Sequence, residues 1–217
     1  MAQRHRKVAN RPVRRRVATR KPRKTIVVFC EGSRTEPDYL AALKRLPAVR
    51  DVAAVDIRVQ PGRGMTNPRQ LVSLAVAAKL RATEEDDEVD EFWCIFDVEW
   101  PVNHPGLTEA VDEARSHGVE VAISNPCFEL WLILHLQPQS AWLTTEHACK
   151  LRGKLDGSHG KEIDATTYMP HIAVAARRAA ALDDRHRHKE TSFPRNNPSS
   201  GMHRLLATVQ PTPADGP

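Results

Sequence analysis

A chain of 217 residues, 41% of them hydrophobic, is long enough for one substantial α/β domain with its own core. Its apolar runs fall well short of the ~18 residues of a membrane span, and no apolar stretch follows the basic N-terminus as in a secretory signal, so a cytoplasmic protein without membrane attachment is expected. The net charge of +5 hides an asymmetry: eleven of the 32 Lys/Arg fall within residues 1–24, with no acid among them, leaving 21 basic against 27 acidic residues in the rest.

In chain order, residues 1–24 come first. A block of like charge cannot bury enough surface to fold and is expected to be a disordered arm. Two readings stand for it: attraction to nucleic-acid phosphate through residues such as Arg14, Arg15, Arg16 and Arg20, or a solubilising tail. "TIVVFC" (25–30) is a continuous β-rich run, as for a strand covered on both faces. It stops at Glu31-Gly32, where glycine frees the backbone to bend. Thr35 then reads as the N-cap of a helix, with Glu36 and Pro37 in its first turn and Asp38 three after the cap.

"AVDIRVQ" (54–60) is a second strand, leaving through the loop "PGRGMT"; Asn67-Pro68 is a cap followed by N1 of a helix to about Leu80. Residues 83–91 form an acidic loop, "FWCIFD" (92–97) a third strand, 107–117 a helix stopped by Gly118, and "VEVAIS" (119–124) a fourth strand. Asn125-Pro126 repeats the cap-plus-proline form and opens the apolar "CFELWLILHL". Past Gln137 a loop-rich stretch leads to a helix over 170–187, a loop "FPRNNPSSG", a short helix "MHRLLATV" and a Pro-rich tail, 210–217, expected to be disordered. Four strand–helix repeats predict an α/β domain over 25–209: a mostly parallel sheet of about four strands, helices on both faces, and a helical C-terminal extension.

In such a sheet, ligands bind along the edge formed by the strand C-termini. That edge collects Glu31 from strand 1, Asp97 and Glu99 from strand 3, and Ser124, Asn125 and Glu129 from strand 4 and its exit. Converging carboxylates repel unless a cation joins them, and an oxygen-only donor set suits Mg²⁺ or Mn²⁺. Asp97 and Glu99 are two apart, so an extended exit points both to one side. Each residue also has a plain reading: Glu31 as a turn residue, Asp97 as an ordinary strand end, Glu129 as a first-turn acid favoured by the helix dipole.

"SNP" and "NNPSSG" place Ser124, Asn125, Asn197, Ser199 and Ser200 at helix starts, either as caps or as phosphate ligands. Arg177, Arg178, Arg185, Arg187 and Lys189 could form a second phosphate-facing patch, and His135 reads as a core histidine. No P-loop, dinucleotide fingerprint or G-x-S-x-G elbow occurs. Of the four cysteines, Cys30, Cys94 and Cys127 sit in apolar runs, and Cys149 with His147 lacks the second pair of a structural zinc site. Buried reduced thiols are the preferred reading.

The order of "VFCEGSRTEPDYL", "FWCIFDVEW", "SNPCFELWLILH" and "NNPSSGMHRL" resembles the successive motifs of the RloB-like family, and the Glu after strand 1 with the acidic pair after strand 3 resembles the TOPRIM catalytic domain. The resemblance implies that Glu31 is a general base or acid and that Asp97, with Glu99, binds metal. It also implies a Mg²⁺-dependent TOPRIM-type nuclease acting on DNA or RNA in phage defence, often beside an ATPase partner. D-x-E stands here where the TOPRIM pattern has D-x-D, which keeps open two alternatives: a noncatalytic nucleic-acid- or nucleotide-binding regulator of the ATPase, and a nucleotide-processing phosphotransferase.

Overall fold

The computed structural model of the protein describes residues 24–50, 53–59, 67–158 and 160–209, with backbone alone for 53–59. Arg14, Arg15, Arg16, Arg20, the loop 60–66 and the tail 210–217 lie outside the described residues. Five strands, β1 (Lys24–Cys30), β2 (Ala53–Val59), β3 (Glu91–Asp97), β4 (Glu120–Asn125) and β5 (Ser199–Ser200), form one sheet in the order β2-β1-β3-β4-β5. The first four run parallel; β5 pairs antiparallel with β4, Ser124 opposite Ser200. The predicted architecture is present, with β5 as an added edge strand.

Alternation along the strands builds two cores. Ile26, Val28, Cys30, Trp93, Ile95 and Ala122 face α1 (Thr35–Leu43), α5 (Glu129–Leu136), α8 (Ile172–His188) and α9 (Met202–Val209), while Val27, Phe29, Phe92, Cys94 and Phe96 face α3 (Pro68–Glu84) and α4 (Leu107–Ser116). α5 is apolar all round, and Leu130 through Leu134 are at most 1% exposed, as for a helix enclosed between sheet and outer helices. Its His135 is a core residue: Nδ1 faces the Trp131 carbonyl, which can only accept, so Nδ1 carries the proton and Nε2 accepts from the Tyr39 hydroxyl at 3.1 Å.

Asn67 caps α3 as predicted, its side chain accepting from the Arg69 N–H. Two other predicted starts differ. Thr35 does not cap α1: Arg34 holds the cap position with no side-chain bond, and the Thr35 hydroxyl donates to the Lys161 carbonyl. Asn125 is not a helix cap, because β4 runs through it and α5 begins at Glu129. Its side chain instead accepts from Trp100 Nε1 and donates to the Pro194 carbonyl. α3 extends to Glu84, taking in the start of the acidic stretch. The stretch past Gln137 is also more ordered than predicted, since α6 (Thr145–Asp156) and α7 (Ala165–Tyr168) lie within it, and a short α2 (Pro47–Arg50) precedes β2. No helix among the described residues is long and apolar enough to cross a membrane.

Candidate functional site

The order β2-β1-β3 makes the chain leave β1 toward one side of the sheet and return on the other. A crevice therefore opens between the C-termini of β1 and β3. Glu31 stands on one lip and Asp97 on the other. The Glu31 N–H donates to the Ile95 carbonyl at 3.0 Å, prolonging the ladder by a residue, and Glu31 Oε2 accepts from the Asp97 N–H at 3.1 Å. Glu31 is thus held by the neighbouring strand, with its side chain only 8% exposed.

Four predicted carboxylates, Glu31, Asp97, Glu99 and Glu129, line one cavity of about 160 Å³ here. A fifth, Glu36, joins them. It reads as a helix-start acid in sequence, yet it is only 6% exposed and burial pushes its carboxyl up to about 7, with Glu129 and Glu31 adding repulsion. Gly32 explains its position. Gly32 does not adopt a left-handed φ, so the turn does not require glycine. A Cβ there would instead lie 2.6 Å from Glu36 Cδ, inside the space the carboxylate occupies. Asp97 is held well above the usual carboxylate range, first by burial and then by Glu36, Glu129 and Glu31. Its Oδ1 is sealed from solvent without a hydrogen-bond partner.

The exit from β3 is not extended. Glu99 adopts φ 62°, a left-handed conformation costly for a residue with a Cβ, and its N–H donates to the Pro126 carbonyl at 2.8 Å. Its side chain is 45% exposed, 3.9 Å from His104 Nε2. It therefore reaches the cavity by a sharp turn rather than by strand alternation. His104 Nε2 lies 3.1 Å from Glu31 Oε1, and that contact raises its imidazole above the ordinary range. His104 sits in a loop with no flanking pattern, so the sequence carried no signal for it.

Cys127 and Cys149 also line this cavity. Cys30, Cys94 and Cys127 are buried as predicted, while Cys149 is exposed. Cys149 is paired with Cys127 from the β4–α5 connection, not with His147, and the Sγ atoms of both and a Glu129 oxygen lie within 4.8 Å of one another. Lys161 lines the rim, on a segment held by Arg152, whose guanidinium donates to the Gly160 and Glu162 carbonyls and pairs with Asp156 at 2.6 Å. A second cavity, about 590 Å³, shares Glu129, Cys149 and Lys161 with the first and adds Lys150 and Lys154.

The "SNP" and "NNPSSG" residues do not line this crevice. Ser124, Asn125, Asn197, Ser199 and Ser200 are 0–7% exposed, and the polar side chains of Ser124, Asn125, Asn197 and Ser200 are engaged internally. Ser124 meets Ser200 at 3.4 Å, and Asn197 brackets the backbone of Leu143 through both its N–H and C=O. They tie β5 to β4 rather than presenting free donors at a helix start. The basic residues of α8 do not form one patch: Arg178 donates to the Leu134 carbonyl at the end of α5, Arg185 to the Ser140 carbonyl, and Arg187 pairs with Asp184.

The family model described as RloB-like protein matches residues 26–209, and the chain belongs to the RloB-like family. No curated protein and no solved structure matches it.

Proposed function

We propose that this RloB-like chain is a Mg²⁺-dependent nuclease of TOPRIM type, hydrolysing phosphodiester bonds of DNA or RNA in phage defence. The observation that carries the reading is the sealed, unpartnered Asp97 Oδ1 facing Glu31, Glu36 and Glu129. A buried acceptor among like charges is stable only with a proton or a cation, and an all-oxygen set fits Mg²⁺ or Mn²⁺. Asp97, Glu129 and Glu99 would hold the ion, with Glu36 beside them. Such an ion polarises a phosphoryl oxygen and lowers the pKa of water.

Glu31 and His104 make the proton-transfer pair. The Glu31 carboxylate 3.1 Å from His104 Nε2 raises the imidazole and sets a proton donor for a leaving oxygen beside a carboxylate that can accept from water. The adjoining cavity, with exposed Lys150, Lys154 and Lys161, favours a polyanionic substrate over a lone phosphate ester.

Purified protein should cleave single- or double-stranded DNA or RNA only with Mg²⁺ or Mn²⁺. Glu31→Gln should slow cleavage by about 10²–10⁴-fold, and Asp97→Asn should abolish the Mg²⁺-dependent cleavage. Cleavage unchanged in both variants would sink the assignment.

The left-handed turn and exposure of Glu99 favour one alternative, a noncatalytic nucleic-acid- or nucleotide-binding subunit that regulates a partner ATPase. Calorimetry showing no Mg²⁺ binding, with a stable ATPase complex on co-purification, would select it.

A further inference from the structure

The carboxylate reading leaves the two thiols unused, and they lie where a second kind of metal would bind. We propose that Cys127, Cys149 and Glu129 form a second site, for a thiophilic divalent ion of the zinc class, that shares Glu129 with the carboxylate site and leaves one coordination position open. Cys127 comes from the β4–α5 connection, Glu129 from the first position of α5, and Cys149 from the second turn of α6. Two separate segments, the start of α5 and the second turn of α6, thus bring their ligand atoms within 4.8 Å of one another. Zinc at about 2.3 Å from sulfur and about 2.1 Å from oxygen needs tetrahedral ligand atoms roughly 3.5–3.8 Å apart. The closure that remains is at most about 1 Å, within reach of the exposed Cys149 and the half-buried Glu129 by side-chain rotation.

The chemistry of the donors sets the class. Two sulfurs and one carboxylate are a poor set for Mg²⁺ and a good one for Zn²⁺ or Co²⁺. Lys161, on the same cavity wall, offsets part of the negative charge that two thiolates and a carboxylate would gather. Three protein ligands leave the fourth position free, as in open rather than structural zinc sites. Glu129 and Cys149 line both the carboxylate cavity and the lysine cavity. The open position therefore lies where the two meet, fit for water or a phosphate oxygen.

The test is a titration of the reduced, metal-stripped full-length chain with Co²⁺ alone, read by absorption. One ion per chain should produce a sulfur-to-cobalt charge-transfer band that Zn²⁺ removes by displacement. Cys127→Ser and Cys149→Ser should each abolish the band, and Glu129→Gln should weaken Co²⁺ binding about tenfold or more. Circular dichroism verifies that these variants fold, and Cys149→Ser, at an exposed position, keeps the test valid if the buried Cys127→Ser does not. Asp97→Asn should leave the band intact, so loss of Mg²⁺-dependent cleavage and loss of the thiol site register separately. A Co²⁺ spectrum without sulfur charge transfer, or a band that survives Cys149→Ser, overturns the proposal.

Discussion

Glu31 and Glu36 show what a residue's neighbours in sequence reveal about its chemistry. Glu31 follows a run of buried strand residues, so its arrival at the sheet edge was legible from the pattern alone. Glu36 follows a break and stands in the first turn of a helix, where the helix dipole fully explains an acid. Its burial depends on the missing Cβ of Gly32, a contact between side-chain space and backbone that no periodicity encodes. The consequence is a pH dependence. An acid whose folded pKa rises from 4.5 to about 7 favours the folded state while neutral, so its contribution falls as pH climbs through that window. By pH 8 the ionised form costs up to about 3 kcal/mol. With chelator present, Glu36→Gln should therefore be more stable than the parent at pH 8 by urea denaturation and should converge with it near pH 4.5. Added Mg²⁺ should narrow the gap at pH 8. A variant less stable than the parent at pH 8 would show that the Glu36 charge is not the burden.

At the scale of elements, the strands and the helices with apolar stripes were readable, and α6 was not. Its fully buried positions are Ala148 and Arg152, so no hydrophobic period marks it. Arg152 replaces an apolar anchor with a polar one: it pairs with Asp156, donates to Tyr168 Oη, and fastens the carbonyls of Gly160 and Glu162. β5 was equally illegible, since two serines carry no strand signal and pair with β4 where Asn125 holds Pro194 and Asn197 is held to Leu143 just before them. Removing the Arg152 charge alone leaves Asp156, 5% exposed, without its cation. Arg152→Met should cost about 3–5 kcal/mol in denaturant unfolding. The double variant Arg152→Met, Asp156→Leu should recover part of that, because no lone charge remains. A single-variant loss below about 1 kcal/mol would mean that the network does not anchor the segment bearing Lys161.

At the scale of the molecule, charge is partitioned. The body of the chain is net acidic and gathers five carboxylates at the sheet edge, with lysines in the adjoining cavity, while the N-terminal residues supply the excess of positive charge. A polyanion approaching such a body meets repulsion unless the basic segment offsets it, so binding and cleavage should depend on different parts. Lys24 belongs to β1 and pairs with Glu91, so a cut that spares the fold must fall before it. Deleting residues 1–23 removes ten Lys/Arg. Each lost phosphate contact should reduce the slope of log affinity against log salt by about 0.9 on duplex DNA, so the truncated chain should bind more weakly at low salt and with a flatter slope. Its cleavage at saturating nucleic acid should match the parent's, because Glu31, Asp97 and their neighbours are untouched. An unchanged salt slope would reduce the segment to a solubilising role. A flattened slope with parental saturated turnover would separate capture of the polyanion from its hydrolysis.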